Sequence, residues 1–401
     1  MTSHNVYVAV HGGAGQHSRT SEGLEQVKSA MKRACTAALR AATRPGADAL
    51  SIVEEAIATL EDEECLNAGY GSNLTLDGTV ECDAAIMDGR SGDFGSVGAV
   101  PGTKNPIKLA GAVLAHSREP DRLGRIRPAT LVSTGARAFA QQRDLETMPP
   151  EIMISPRAQR EWQRLMELYR VSGLHDAPGV NASSTGTAVL PRDVMQDTVG
   201  AVAWDAAGNL AAGVSSGGLL LKYSGRIGEA ATYGAGCWAE QSPDGQSGLA
   251  CSISGAGEHI MRAGLARTIA DVLRPTEGSG QGDAEVDVHD LLTKTLLERF
   301  HIPIQTRGEA HPNAGVLLMT KEAQEDGNAM PRLWCAFTTE SMAIAYGSSE
   351  KPAPKAKILR RPKGTQTTLP TQASPVCITA LSLHGYRGRS SDRAPPLNTM
   401  G

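Results

Sequence analysis

The sequence predicts a mixed α/β protein folded as one composite domain, and three observations predict it. Short apolar runs that end in glycine alternate with longer stretches whose apolar residues recur every three or four positions, so strands and helices interleave. These elements form two blocks, split by a polar, proline-marked connection over about residues 147–194 that gives way to Asp197-Thr198 and a new apolar run. The chain has 401 residues, 40% hydrophobic and 20% charged, enough for a substantial core. That length permits two or three domains, but a large α/β sandwich uses as many residues as a single unit.

Taken in order, Val6 to Val10 reads as a strand that ends at the turn His11-Gly12-Gly13-Ala14-Gly15. Leu24, Val27, Met31, Ala34 and Ala38 then give a helix. The glycine run lacks the G-x-G-x-x-G and G-K-[ST] patterns of phosphate loops, which favours close backbone packing. Ala47 to Asp62 is a second amphipathic helix, followed by the turn Asn67 to Asn73 and a strand from Val80 to Met87. Pro106 to Ser117 and Ala129 to Gln142 read as helices, the first with proline at its N1 position. The connection carries an Arg/Glu-rich helical run from Pro156 to Val171 but reads as exposed and flexible.

After it, Thr198 to Asp205 and Leu210 to Ser215, joined by a turn at Ala207-Gly208-Asn209, read as a buried hairpin. Glycine clusters at 213–218, 225–236 and 255–257 separate short strands, and the last opens a helix to Leu273. A further helix covers 286–300 and strands 314–320 and 333–346 close the ordered part. The Pro/Ser/Lys/Thr-rich tail over about 347–401 is expected to be partly disordered.

Composition narrows the function classes. With 39 Lys+Arg against 43 Asp+Glu the formal charge is −4, so no global field draws the protein to nucleic acid or an anionic membrane. The start has no basic n-region with an apolar core, and no run of eighteen apolar residues occurs, so neither secretion nor membrane insertion is expected. Seven scattered cysteines, with no C-x-x-C pair and no histidines at metal spacing, read as reduced core thiols, and no metal site is expected from them.

Asp197-Thr198 is the candidate reaction centre. A threonine at a chain terminus can use its own α-amine, of pKa about 7.7–8.0, as general base. To reach that state the chain must be cut before Thr198 by attack of the hydroxyl on the Asp197 carbonyl, which needs a mobile segment upstream and a rigid strand downstream. The pattern fits, yet threonine also begins strands simply because it is β-branched, and spacing alone leaves both readings open.

Several motifs in order bear on the choice. Asp197 to Val202, Gly208 to Ala212 and Ser215 to Gly218 resemble the start of the β-subunit in the plant-type asparaginase family of N-terminal threonine hydrolases. Gly225 to Gly228, Gly234 to Glu240 and Ser254 to His259 resemble that family's later glycine motifs, and His11 to Gly15 and Asn67 to Gly71 resemble its N-terminal half. Within the family, Asn67 to Leu74, Met87 to Gly89, Phe94 to Val100, Lys104 to Pro106 and Thr338 to Met342 resemble its threonine aspartase branch, whose members are proteases.

The resemblance implies a four-layer αββα N-terminal-nucleophile hydrolase sandwich, cut into an α-subunit of residues 1–197 and a β-subunit of residues 198–401. It implies an autocatalytically activated threonine endopeptidase that cleaves proteins after an internal aspartate. Thr198 would be the nucleophile, Ser216 would hold its hydroxyl, and Ser254 with the Gly255 N–H would form the oxyanion hole. Arg226 would grip a substrate carboxylate, with Glu229, Gly257 and Asn67 lining the substrate site. Asp197 would present its side chain to the same pocket that later takes substrate aspartate.

No cofactor is expected, apart from a sodium ion that the loop around Asn67 can hold in this family; a glycine-asparagine turn explains that loop equally well. The expected partners are protein substrates, the two subunits themselves and a second copy in an (αβ)₂ assembly, with no direct nucleic acid. The branch implies nuclear substrates of the trithorax-type methyltransferase and transcription factor IIA precursor kinds, hence a nuclear or nucleocytoplasmic protein. No dense basic cluster marks an import signal. Two other readings stand beside this one. The first is an isoaspartyl peptidase/L-asparaginase for small substrates; the second is a binding protein of the same fold that never matures. Glu229 stands where asparaginases hold the substrate α-amine with aspartate, which weakens the small-substrate reading without removing it.

Overall fold

A computed structural model describes residues 5–171, 197–274, 287–309, 312–323, 329–362 and 374–383. Its centre is an eight-stranded sheet in the order β12-β11-β1-β5-β6-β2-β3-β4. In chain order these strands are β1 (Tyr7–Gly15), β2 (Cys82–Asp88), β3 (Phe94–Val100), β4 (Thr130–Val132), β5 (Val199–Trp204), β6 (Leu210–Ser216), β11 (Ser341–Ser348) and β12 (Lys355–Arg360). A five-stranded sheet, β13-β10-β9-β8-β7, lies against it; it comprises β7 (Cys237–Gln241), β8 (Gly248–Gly255), β9 (Ala314–Ala323), β10 (Ala329–Phe337) and β13 (Cys377–Ser382).

Strand alternation builds two cores from the same strands. From β1 and β5, Tyr7, Ala9, Val202 and Trp204 face the inter-sheet core, while Val8, Val10, Ala201 and Ala203 face outward. That outer face is covered by α1 (Ser21–Ala41), α2 (Ala49–Glu61) and α3 (Pro106–Ser117), through residues such as Met31, Ile52, Ile57 and Ile107. The smaller sheet is covered by α6 (Gly257–Ala263), α7 (Leu265–Leu273), α8 (Val288–Thr295) and α9 (Ile302–Thr306), with Ile269, Leu292 and Phe300 buried against it. Helix, sheet, sheet, helix is the αββα sandwich the motifs imply. Because both faces of the central strands are covered, β5 and β6 are buried along their whole length and read as unbroken apolar runs.

Local signals explain the boundaries. Asp48 caps α2 by accepting from Ser51 N at 2.9 Å, and Ser51 Oγ accepts from Asp48 N at 3.0 Å, a closed capping box. Gly264, at φ +50°, separates α6 from α7, so the predicted single helix is two. All seven cysteines are free, five of them buried, and burial raises the thiol pKa of Cys35, Cys82, Cys237, Cys251 and Cys335. Among the described residues no helix is long and apolar enough to cross a membrane.

Three expectations need correction. β1 does not stop at Val10 but runs through the glycines to Gly15, with an irregularity between His11 and Ala14. The region expected as a helix from Ala129 is first a strand, β4, and only then the helix α4 (Ser133–Gln142). The first half of the connection is not wholly exposed but packs on the body at a few points: Pro150–Met153 form a 3-10 turn and Pro156–Val171 the expected helix, α5. Met153, Ala158 and Leu165 are buried there, and Trp162 Nε1 donates to Thr75 O at 2.9 Å. Residues 172–196 lie outside the described residues. The tail is likewise structured in part, because β12 pairs with β11 and β13 with β10 at the sheet edges. Residues 363–373 and 384–401 lie outside the described residues.

Candidate active site

Strand ends bring the candidate residues together at one end of the sandwich. Thr198 directly precedes β5, Ser216 ends β6, and Ser254-Gly255 end β8. Arg226 and Glu229 lie in the glycine-rich segment after β6, Glu229 opening a 3-10 turn at Glu229–Ala231. Asp197, Thr198, Ser216, Glu229 and Ser254 are all buried.

In the continuous chain Thr198 N is a peptide nitrogen, and it donates to Ser254 Oγ at 3.2 Å. Thr198 Oγ1 donates to Glu229 Oε1 at 2.7 Å and lies 3.0 Å from Ser216 Oγ. Ser216 Oγ also accepts from Gly218 N at 3.0 Å, which ties it to the turn beyond its strand. Ser254 Oγ accepts a second N–H, from Ala14 at 3.0 Å. A serine oxygen has two lone pairs and one proton. With both lone pairs engaged, Ser254 has its O–H left to donate. Gly255, at φ +143°, leaves the strand where a Cβ would come within 2.2 Å of Asn313 O, so only glycine fits there.

The charged groups form a compact set. Arg226 makes a two-pronged ion pair with Glu258, Nε to Oε1 and Nη2 to Oε2, both 2.9 Å. Burial works against the Arg226 charge, but Glu258, Glu229 and Asp83 outweigh it and raise its pKa. Burial raises the Glu229 pKa, opposed by the Thr198 hydrogen bond and the Arg226 charge. Gly257 is the contact point of the two: a Cβ there would meet Glu229 Oε2 at 2.4 Å and Arg226 Nη2 at 2.6 Å. A guanidinium and a carboxylate thus stand side by side next to the threonine hydroxyl, Arg226 already holding the carboxylate of Glu258.

Asp197 is not in this pocket, contrary to the expectation that it shares the one Arg226 serves. Its carboxyl lies against the glycine run of β1, where a Cβ on Gly13 would be 2.1 Å from Asp197 Cβ and one on Gly15 would be 2.6 Å from Asp197 Oδ1. Its nearest ionisable neighbour is His17, with Nε2 at 3.7 Å from Oδ2 and both side chains nearly inaccessible. His17 Nε2 is buried and, among the described residues, makes no hydrogen bond. Behind it, His17 Nδ1 and N both lie 3.1 Å from Ser341 Oγ, which donates to Gly15 O at 3.0 Å. Burial raises the Asp197 pKa, and His17 opposes that shift. Sequence reasoning missed His17 and Glu258; the signal for His17 was its place two residues beyond the glycine run. His11, in that run, is a core residue, held neutral by burial that pushes its pKa to about 3 and placed 2.8 Å from Ser252 Oγ.

Asn67 acts as a brace. Its O accepts from Gly217 N at 2.9 Å, its Nδ2 donates to Gly218 O at 3.0 Å and its Oδ1 accepts from Asn73 N at 2.9 Å. These bonds hold the turn after Ser216 and leave Asn67 occupied within the protein. The loop expected to suit sodium is already served by a cation, since Arg157 of α5 donates to Glu64 O at 2.8 Å and to Gly71 O.

A family model described as asparaginase matches residues 4–297. The chain is 35% identical over 263 residues to the isoaspartyl peptidase/L-asparaginase of Xenopus laevis, covering 65% of this chain and 74% of that protein. It is 35% identical over 269 residues to the plant-type L-asparaginase of Pyrobaculum calidifontis, covering 67% and 80%. Against the isoaspartyl peptidase/L-asparaginase of Mus musculus it is 34% identical over 263 residues, covering 66% and 71%. With the αββα sandwich and the threonine at the head of β5, these matches lead to one conclusion: the chain belongs to the asparaginase family of N-terminal-nucleophile hydrolases.

Proposed function

We propose that the uncut chain cleaves itself between Asp197 and Thr198, and that the freed Thr198 then hydrolyses peptide bonds after aspartate in protein substrates, as a threonine aspartase does. The observation that carries this reading is the cradle of Gly13, Gly15 and His17 around the carboxyl of Asp197, the residue on the acyl side of the bond to be cut. The stretch Thr338 to Met342, which resembles the aspartase branch, supplies Ser341 behind His17. In this reading Thr198 is the nucleophile and its α-amine, once free, the base. Ser216 orients the hydroxyl, and the Ser254 hydroxyl with the Gly255 N–H receives the negative charge of the tetrahedral intermediate. Arg226 is left to a later substrate's carboxylate, so self-cleavage and substrate cleavage draw on different side chains.

A second reading has its own support. Arg226 and Glu229 side by side suit the carboxylate and ammonium of a free amino acid, and the relatives are named isoaspartyl peptidase/L-asparaginase and plant-type L-asparaginase. The matured protein should therefore be offered three substrates: a peptide with an internal aspartate, a β-aspartyl dipeptide and L-asparagine. Cleavage of the first alone supports the aspartase. Hydrolysis of the second or third with the first left intact moves the protein to the small-substrate reading.

A further inference from the structure

The mature enzyme's base does not yet exist in the precursor. Before the cut, the Thr198 nitrogen is an amide with no lone pair to spare, and its proton is committed to Ser254 Oγ. The first attack therefore needs another acceptor for the hydroxyl proton. Among the described residues, two groups lie within hydrogen-bond distance of Thr198 Oγ1: Ser216 Oγ at 3.0 Å and Glu229 Oε1 at 2.7 Å. A serine hydroxyl is far too weak a base at neutral pH. An ionised carboxylate can only accept, so the single proton on Oγ1 points to Glu229 and the Ser216 hydroxyl faces the lone pairs of Oγ1.

We propose that Glu229 is the general base of the self-cleavage step, a role that passes to the Thr198 α-amine once the bond is cut. The proposal rests on the self-cleavage reading above and adds a catalytic residue to it. The Oγ1–H bond breaks, its proton moves to Glu229 Oε1, and Oγ1 forms a bond to the carbonyl carbon of Asp197. When the tetrahedral intermediate collapses, the carbon–nitrogen bond breaks and the leaving nitrogen takes that proton, which restores the carboxylate. The resulting ester is hydrolysed by one water molecule. Its products are the Asp197 carboxylate, the free Thr198 hydroxyl and the new α-amino group.

The surroundings make this carboxylate a stronger base than an exposed one. Glu229 is buried, which raises its pKa as a carboxylate in the same direction that improves its basicity. The charged groups acting on it are Arg226 beside it, which favours the ionised form, and Asp83 of β2, which disfavours it. Glu258 of α6 acts through Arg226, whose guanidinium it shares. Asp83 is itself held by the N–H groups of Ala99 and Gly228 at 2.8 Å and 2.7 Å, so its carboxyl group is fixed in position.

The test follows freshly translated, full-length wild type, Glu229→Gln and Glu229→Asp by intact mass from pH 5 to 9. The expected result is a wild-type rate that rises with pH and levels off, with its inflection above the ordinary glutamate range. Glu229→Gln should be slowed roughly 10²- to 10⁴-fold and lose the inflection. Glu229→Asp should be slowed but keep it, which covers the case in which the glutamine variant does not fold. A Glu229→Gln chain that cuts itself at the wild-type rate with the same inflection overturns the proposal and leaves the self-cleavage reading standing. So does loss of the inflection in a folded Glu229→Asp chain. A folded wild type that stays whole overturns both.

Discussion

Ser254→Ala removes one oxygen on which three parts of the molecule converge. Ser254 is fully buried at the end of β8, and its Oγ accepts from Ala14 N at 3.0 Å and Thr198 N at 3.2 Å. It therefore pins the glycine run of β1 and the head of β5 to the second sheet. Alanine leaves both N–H groups without that acceptor, and a buried N–H left unpaired costs about 1–3 kcal/mol. The expected destabilisation is thus ~2–6 kcal/mol, a large part of the roughly 5–15 kcal/mol that holds a domain folded. It should be read from urea denaturation in a Thr198→Ala background, so that only uncut chains are compared, with the midpoint falling and the slope unchanged. Because the Ser254 proton is also the one free to meet a developing oxyanion, self-cleavage with Thr198 intact should slow by about 10²- to 10³-fold. A loss of stability below ~1 kcal/mol would show that the two N–H groups do not depend on this oxygen, and the reasoning would fail.

Three further outcomes are expected. Gly15→Ala should leave the protein folded but slow self-cleavage, because a Cβ there falls 2.6 Å from Asp197 Oδ1; intact mass over time checks this, and a wild-type rate would remove the cradle from the account. Glu61, buried at the end of α2 where Ser215 Oγ donates to it at 2.6 Å, has its pKa raised by burial to about 8. A raised carboxyl pKa means stability present below the unfolded value near 4.5 and lost as pH rises through about 8. Glu61→Gln should flatten that decline, which is at most about 5 kcal/mol, in melts taken from pH 5 to 9. Arg157→Ala should cost about 1.5–3 kcal/mol through its bonds to Glu64 O and Gly71 O, and exchanging sodium for potassium should leave wild-type melting unchanged.

The legible parts of this protein were those where a local pattern serves a local purpose. The apolar strands β5 and β6 and the helices α1 to α3 are buried along faces that their periodicity marks. The αββα order followed from motifs, since composition does not say how two sheets stack. What stayed hidden depends on neighbours distant in the chain. α5 is a polar helix held at a few points, Arg157, Trp162 and Leu165, so its composition resembles that of a linker. β12, with lysine or arginine at Lys355, Lys357 and Arg360, and the half-exposed β13 are edge strands whose surface residues read as tail.

The site divides in the same way. Thr198, Ser216 and Ser254 were visible because each ends or begins a strand inside a recognisable motif, and the structure brings all three together. Glu229 was read as lining the substrate site. Its contact with a hydroxyl 31 residues away appears only when the turn after Gly228 is placed over β5. His17 showed only its place just beyond the glycine run, and its role stayed hidden because the carboxyl it faces belongs to Asp197, 180 positions along the chain.

Whether Thr198 cuts the chain before itself is read most directly by intact mass with N-terminal sequencing of purified wild type beside Thr198→Ala. Wild type should give two fragments, one ending at Asp197 and one beginning Thr198-Val199-Gly200, and the variant a single whole chain. A folded wild type that remains whole, or a Thr198→Ala chain that is cut at the same bond, contradicts self-cleavage by Thr198.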